Sequence, residues 1–139
     1  MKEKGFTLIE LMIVITVIAI LITIAVASFT RVQQQARDTK RKGDLRSIAT
    51  ALQAYYTEKT AYPASQAALS GALAPTYMPA LPTPPSGTTQ TTYTYTSDGA
   101  SKFALCAVLE TASVSANIWK VSTLNSGGYL SADAACTYE

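Results

Sequence analysis

Residues 11–30 form an apolar run without a charged side chain, and this run limits what the chain can fold into. Its polar members are only three threonines and one serine. A helix of about twenty residues spans roughly 30 Å, the hydrocarbon thickness of a bilayer. A run of this length is too long for the core helix of a soluble domain. We therefore expect residues 6–30 to enter a membrane as a helix.

The composition points away from catalysis. The 139 residues have room for one domain, and charged residues make up only 14% of them, against about 25% in a typical soluble domain. Histidine, the commonest general base and metal ligand, is absent from the sequence. No glycine-rich phosphate loop or metal-spaced ligand cluster occurs, and Asp98 and Asp133 are too isolated to form a calcium site. We expect no enzymatic activity and no cofactor.

The chain has two cysteines, Cys106 and Cys136. In an exported domain, such a pair is typical of one disulfide, which would contribute roughly 3–4 kcal/mol by closing the loop between them. Two unrelated buried thiols are the alternative. We predict the disulfide, because a small exported domain gains most from a covalent link.

Three fates are open to the apolar run. Ala25-Val26-Ala27 fits the small-residue pattern of signal-peptide cleavage, which would release a secreted binding domain. A plain signal anchor is the second fate. Six basic residues in 31–46 follow the run, against Lys2 and Lys4 before it, and this count would leave the C-terminal side in the cytoplasm.

The third fate rests on the residues around the start of the run. Residues 5–10 read Gly-Phe-Thr-Leu-Ile-Glu, after a short basic leader and before the apolar block. This pattern resembles the class III prepilin signal of type IV pilins and of the related pseudopilins of type II secretion. The resemblance implies that a prepilin peptidase removes residues 1–5 by cutting after Gly5 and that Phe6 becomes N-methylated. It also implies that the helix is retained and the head exported, against the charge count.

Glu10 is a carboxylate at the edge of the apolar run, where an unpaired charge is costly. Cutting after Gly5 would create an α-amino cation on Phe6, and in a helical bundle this cation could pair with Glu10 of a neighbour. Such a pair would fix the axial register of adjacent subunits. The alternative is that Glu10 only reaches out to the lipid headgroups.

Residues 31–60 predict an amphipathic continuation of the same helix. Leu45, Ile48, Ala49, Leu52, Tyr55 and Tyr56 recur at the spacing of one helical face. Tyr62-Pro63 prevents the helix from continuing. The basic residues between Arg31 and Arg46 favour anionic headgroups or acidic neighbours over DNA, because no interleaved aromatics accompany them.

Residues 61–139 predict a globular head. Ser65 can cap a short helix, and a proline-rich connector follows at residues 74–87. Within it, Tyr77-Met78-Pro79-Ala80-Leu81-Pro82 resembles a segment common in pseudopilins and small pilins. Residues 91–96, 102–110 and 117–122 predict three antiparallel strands, with a turn at 126–128. Packed on the amphipathic helix, they give an α+β, type IV pilin-like fold.

The resemblance implies a structural subunit of a type IV pilus-like filament. Such a subunit sits in the inner membrane as a single-pass protein, meets the assembly machinery there, and then polymerises into a surface filament. A type II secretion pseudopilin, a DNA-uptake subunit and the secreted domain cut after Ala27 are the alternatives.

Overall fold

The computed structural model describes residues 5–111, 117–123, 125–130 and 136–137. The helices are α1 (Leu8–Lys59) and α2 (Gln66–Leu73), and the strands are β1 (Thr94–Ser97), β2 (Phe103–Val108), β3 (Ile118–Ser122) and β4 (Asn125–Leu130). The chain divides into two compact units, Met1–Gln33 and Gln34–Glu139. The long helix and the antiparallel sheet confirm the predicted α+β class.

The predicted apolar face of the helix forms the centre of the second unit. Leu45, Ile48 and Leu52 are fully buried, together with residues of α2 and the sheet. Tyr55 and Tyr56 are partly buried at the edge of the same core. The face therefore packs as its spacing predicts, since side chains three and four residues apart lie on one side of a helix.

The sheet is fully antiparallel, in the order β1-β2-β3-β4. Leu105 pairs with Tyr95 of β1 on one side and with Val121 of β3 on the other. Strand β2 is buried on both faces, which confirms the prediction that it is central.

The sheet has a fourth strand, which the sequence reading missed. The turn predicted at 126–128 is wrong, because these residues lie inside β4, where Gly128 pairs with Lys120 and the register with β3 shifts between Lys120 and Ser122. A Cβ on Gly127 would come within 2.6 Å of the Trp119 ring. Glycine here permits close packing within the sheet and does not reverse the chain.

The first strand is shorter than predicted. It begins at Thr94 and not at residue 91, because the Gln90 side chain takes the place of strand backbone beside β2. Gln90 accepts from the Val108 N–H at 2.8 Å and donates to the Cys106 carbonyl at 3.3 Å. One side-chain amide thus completes the hydrogen bonding of β2 where β1 has not yet begun.

Two further predictions for the head are confirmed. Ser65 caps α2, its hydroxyl accepting from the Ala68 N–H at 3.3 Å. Cys106 and Cys136 form a disulfide with their Cα atoms 6.0 Å apart, so Cys136 is fastened to β2. Tyr77, Met78 and Leu81 of the proline-rich connector pack against the core, so this segment belongs to the head and is more than a linker.

The end of α1 has an unfavourable backbone conformation at Thr60. Its φ is 57°, in the left-handed region, and its N–H donates to the Tyr56 carbonyl at 2.8 Å. Glycine is the residue that usually closes a helix in this way, because a Cβ is disfavoured there.

We predict that Thr60→Gly stabilises the protein by about 0.5–1 kcal/mol, because the strain at Thr60 is relieved. Thr57→Gly is the matched control, since Thr57 lies on the exposed surface inside α1, and it should cost a few tenths to about 1 kcal/mol. Urea unfolding in detergent micelles, followed by Trp119 fluorescence, measures both. Equal destabilisation by the two substitutions would contradict this account of Thr60.

Candidate functional site

The N-terminal part of α1 carries the largest apolar surface in the described chain. Its large hydrophobic side chains are 47–85% exposed. They are Phe6, Leu8, Ile9, Leu11, Met12, Ile13, Val14, Ile15, Val17, Ile18, Ile20, Leu21, Ile22, Ile24, Val26, Phe29 and Val32. By length and composition, α1 is a helix that could cross a membrane. The surface surrounds the helix and is not one stripe, which is typical of a helix buried by other molecules.

The hydroxyl groups of this segment are satisfied within the helix. Thr16 donates to the Met12 carbonyl at 2.7 Å, and Thr23 donates to the Ile20 carbonyl at 2.7 Å. Ser28 and Thr30 donate in the same way to carbonyls four residues before them. These four side chains therefore need no water, which suits an apolar surrounding.

Glu10 is held at the start of α1 by Thr7. Its Oε2 accepts from the Thr7 N–H at 2.9 Å and from the Thr7 hydroxyl at 2.7 Å. The Thr7 oxygen in turn accepts from the Glu10 N–H at 3.3 Å. This reciprocal arrangement is a capping box, which the sequence signals as threonine followed three residues later by glutamate. Glu10, predicted as an assembly residue, therefore also caps its own helix.

Gly5 and Phe6, the residues predicted to be processed, lie just before Thr7. Phe6 is 85% exposed, and a Cβ added to Gly5 would meet no atom within 4 Å. The roles of Gly5 and Phe6 in processing, and of Phe6 and Glu10 in assembly, stay predictions.

The head contains a buried charge cluster that the sequence reading did not predict. Arg41 is fully buried, and Asp38, one turn before it, is 3% exposed. Arg41 Nη1 lies 2.7 Å from Asp38 Oδ1 and 2.7 Å from Glu110 Oε1. Arg37 donates to both oxygens of Glu110, from Nε at 2.8 Å and from Nη2 at 2.5 Å. Two guanidinium groups and two carboxylates thus balance each other's charge.

The cluster fastens three segments of the head together. Asp38 accepts from the backbone N–H groups of Glu110 and Thr111, at 3.0 and 2.9 Å, and from the Thr111 hydroxyl at 2.6 Å. Arg41 Nη2 donates to the Pro85 carbonyl at 2.9 Å. Helix α1, the chain after β2 and the proline-rich connector therefore meet at one set of charge-assisted hydrogen bonds.

The pKa values of the Asp38 and Glu110 carboxyls reflect these contacts. The Arg37 guanidinium, more than that of Arg41, holds the pKa of Glu110 below its usual value although burial opposes this. Burial alone would raise the pKa of Asp38, but the hydrogen bonds from Thr111, from the Glu110 N–H and from Arg41 outweigh it and lower that pKa. Both groups are therefore ionised at neutral pH.

The cluster corrects the interpretation of residues 31–46 as one basic surface. Arg41 is buried, Arg37 is paired with Glu110, and the Lys42 ammonium lies 4.5 Å from the centroid of the Trp119 ring. Within residues 34–46, the exposed cations are Lys40 and Arg46. Neutralising Arg41 would disturb the core and cannot serve as a probe of DNA binding.

A sequence signal for the cluster did exist. Asp38 and Arg41 precede Leu45 and Ile48 at the same helical spacing, so they share the buried face of α1. A buried aspartate–arginine pair could have been inferred from this position. Its partner Glu110 could not, because no local pattern brings together residues about seventy positions apart.

No group of three or more metal-ligating side chains occurs among the residues that the structure describes. Asp98 is a turn residue, because its carboxylate accepts the N–H groups of Ala100 and Lys102 at 2.8 and 2.9 Å. Asp133 lies outside the described residues.

Residues 1–26 match the family model of the prokaryotic N-terminal methylation motif. Relatives of two kinds are also similar to this chain. The type IV major pilin of Myxococcus xanthus is 39% identical over 61 residues, 44% of this chain and 28% of the relative. The type II secretion system core protein G of Pseudomonas aeruginosa is 40% identical over 68 residues, 49% of this chain and 48% of the relative.

The chain is pilin-like.

A third relative, the type IV wide pilus major component of Thermus thermophilus, is 37% identical over 68 residues, 49% of this chain and 52% of the relative. The pilin-like chain thus spans between 28% and 52% of the length of these curated relatives. No solved structure matches it.

We predict that Gly87→Ala destabilises the pilin-like head by at least about 2 kcal/mol. Gly87 has φ 122°, and an added Cβ would overlap the Glu110 carboxylate, which the two arginines hold in place. Gly71→Ala is the control, because Gly71 lies inside α2 with no atom within 4 Å of the new Cβ. It should be stabilising by about 0.5–1 kcal/mol. A neutral Gly87→Ala would show that the cluster is not rigid.

We predict that the free energy of unfolding falls with acidification below about pH 4. The pKa values of Asp38 and Glu110 are lowered in the folded state, so their stabilisation is complete above the pKa of the unfolded chain and is lost as pH falls through the folded pKa. Urea unfolding between pH 2 and 7 measures this. Glu110→Gln should be less stable at pH 7, but its free energy of unfolding should fall less steeply as the pH is lowered. An unchanged dependence on pH would contradict the account.

Proposed function

We propose that this chain is a structural subunit that polymerises through its N-terminal helix into a type IV pilus-like filament, and that it does not act as a catalyst. The observation that carries the proposal is the methylation motif at residues 1–26, directly joined to a helix whose apolar side chains are exposed on all sides. A prepilin peptidase would cut after Gly5, and the new N-terminal residue, Phe6, would be methylated.

The exposed apolar surface needs a covering. Burying one large aliphatic side chain contributes about 1.5–3 kcal/mol, so the whole segment is strongly disfavoured in water. A bilayer covers it before assembly, and the helices of other copies cover it in a filament. The internally bonded hydroxyls of Thr16 and Thr23 are compatible with both surroundings.

Glu10 sets the register in this proposal. Its carboxylate would pair with the N-terminal ammonium of Phe6 in a neighbouring copy, where the surrounding apolar side chains exclude water and strengthen the attraction. An ion pair in such a place gives little net stability, but it excludes registers that leave either charge unpaired.

The location of the subunit follows from these steps. It would first span the inner membrane once, with the head exported and the assembly machinery close to the helix. It would then leave the bilayer for a filament at the cell surface. The disulfide and the buried charge cluster around Arg41 both link segments of the head. Such links would stabilise the fold of an exported domain.

A pseudopilin of a type II secretion system is the alternative function. The similarity to a core protein G supports it, since its identity and coverage match those of the pilus components. Electron microscopy of cells that express the chain distinguishes the two, because a pilus subunit forms long surface fibres.

We predict that Glu10→Ala leaves membrane insertion intact but reduces filament yield at least about tenfold, the effect of one lost charge-assisted contact per subunit. Sheared filaments are quantified by immunoblot against the membrane pool. Glu58→Gln is the control, because Glu58 is an exposed carboxylate near the other end of α1 and a glutamine there can still accept from the Tyr77 hydroxyl. Normal filaments from Glu10→Ala would rule out the register role.

A further inference from the structure

We propose that Cys136 is the cysteine through which this chain exchanges its disulfide with a thiol–disulfide oxidoreductase, while Cys106 closes the bond from inside the folded sheet. The inference rests on the export of the head in the proposed function. It adds a partner of defined chemistry, and it gives the two sulfur atoms of the disulfide different roles.

The two cysteines of the disulfide have unequal surroundings. Cys106 lies in the central strand β2, is 3% exposed, and stands between the fully buried residues Leu105 and Ala107. Cys136 is partly exposed and is followed by the exposed Thr137. One cysteine is therefore inside the sheet, and the other is at the surface of the head.

The disulfide lies on the face of the sheet that points away from α1. Side chains alternate along a strand, and Phe103, Leu105 and Ala107 of β2 belong to the apolar core. The Cys106 side chain is therefore on the opposite face, and the core that the described residues form contains neither cysteine. The packing of the sheet on α1 can thus form before the disulfide is closed.

The folded strands bring Cys136 to its partner. The Cys136 carbonyl accepts from the Thr96 hydroxyl at 2.6 Å, and Cys136 Sγ lies 3.8 Å from the Thr94 carbonyl oxygen. Thr94 is the residue of β1 that pairs with Cys106. Pairing of β1 with β2 therefore prepares the place where the Cα atoms of the two cysteines lie 6.0 Å apart.

Access determines which sulfur reacts. In thiol–disulfide exchange, a thiolate attacks one sulfur of a disulfide from the side opposite the other sulfur, which then leaves. For Cys106 this approach passes through the buried strand, whereas for Cys136 it starts at the surface. The entering thiolate therefore bonds to Cys136 Sγ, and Cys106 leaves as a thiolate that takes up a proton.

Closure of the bond follows the same steps in reverse. The thiolate of reduced Cys136 attacks the disulfide of the oxidoreductase, forms a mixed disulfide and displaces one thiolate of the enzyme. The Cys106 thiolate then attacks Cys136 Sγ, which forms the intramolecular bond and releases the second thiolate of the enzyme. The two cysteines are oxidised, and the enzyme's disulfide is reduced to a dithiol. Cys106 does not start the sequence, because it is buried once β2 has paired.

The first test uses the full chain in detergent micelles, with glutathione as the attacking thiol. After a short reaction, free thiols are blocked with N-ethylmaleimide and the chain is digested with trypsin. Cleavage after Lys102 and Lys120 separates the two cysteines, so mass spectrometry shows which one carries glutathione. In the folded chain, Cys136 should carry at least about tenfold more glutathione than Cys106. In urea, the two cysteines should be labelled equally.

Three results of this test overturn the inference. Equal labelling of the folded chain would show that access does not distinguish the two sulfur atoms. Glutathione mainly on Cys106 would reverse their roles. A folded chain in which neither cysteine is labelled would show that Cys136 is as inaccessible as Cys106.

The second test concerns the partner in cells. An exported oxidoreductase that has lost the second cysteine of its active site retains its mixed disulfides. Cys106→Ala and Cys136→Ala are matched variants with one cysteine each. Cys106→Ala, which keeps Cys136, should yield at least about tenfold more of the covalent complex than Cys136→Ala. Equal trapping of the two variants would place closure on the unfolded chain and overturn the inference.

The same cells separate this inference from the proposed function. A chain that begins with N-methylated Phe6 and forms filaments, but gives no complex with either variant, contradicts the inference and leaves the proposed function standing. A chain that keeps residues 1–5 and has both cysteines reduced contradicts the proposed function, because neither processing nor export has then taken place.

Discussion

The exposed apolar surface of residues 6–32 is the constraint on which the rest of the chain depends. Its large side chains are exposed around the helix, and a bilayer or other apolar helices would remove them from water. Each polar group near it is arranged accordingly. The hydroxyls bond to the helix backbone, and the single carboxylate, Glu10, is held by Thr7 at the end of the segment.

The head solves a different physical problem, because it must stay folded with a small core. Leu45, Ile48 and Leu52 supply its apolar centre, and the disulfide fastens Cys136 to β2. The Arg41 cluster adds directional contacts. Removing one partner of such a buried network commonly costs about 3–5 kcal/mol of folding free energy, because the other partner is left as an unpaired buried charge. The intact network adds far less net stability, since burying its charges is itself costly. The cluster therefore mainly specifies one arrangement of helix, connector and sheet.

Local patterns were sufficient to predict much of this structure. The spacing of Leu45 and Leu52 gave the buried helical face, Ser65 gave the cap of α2, and the cysteine pair gave the disulfide. Predictions were wrong or missing where distant residues decide the conformation. Gly127 and Gly128 have the composition of a turn, yet both lie in β4, where Gly128 pairs with Lys120 of β3. The partner of Arg41 is about seventy positions away, and no local signal marks it. The Thr7–Glu10 capping box is readable from the sequence, as a threonine followed three residues later by a glutamate.

The central claim is that the apolar helix is kept in the mature protein as an assembly surface. The mass of the mature N-terminal peptide, isolated from membranes of cells with prepilin peptidase, tests it most directly. The account predicts a peptide that begins with N-methylated Phe6, after a cut behind Gly5. A mature chain that begins at Ser28 would contradict it, because the whole apolar segment would then have been removed with a signal peptide.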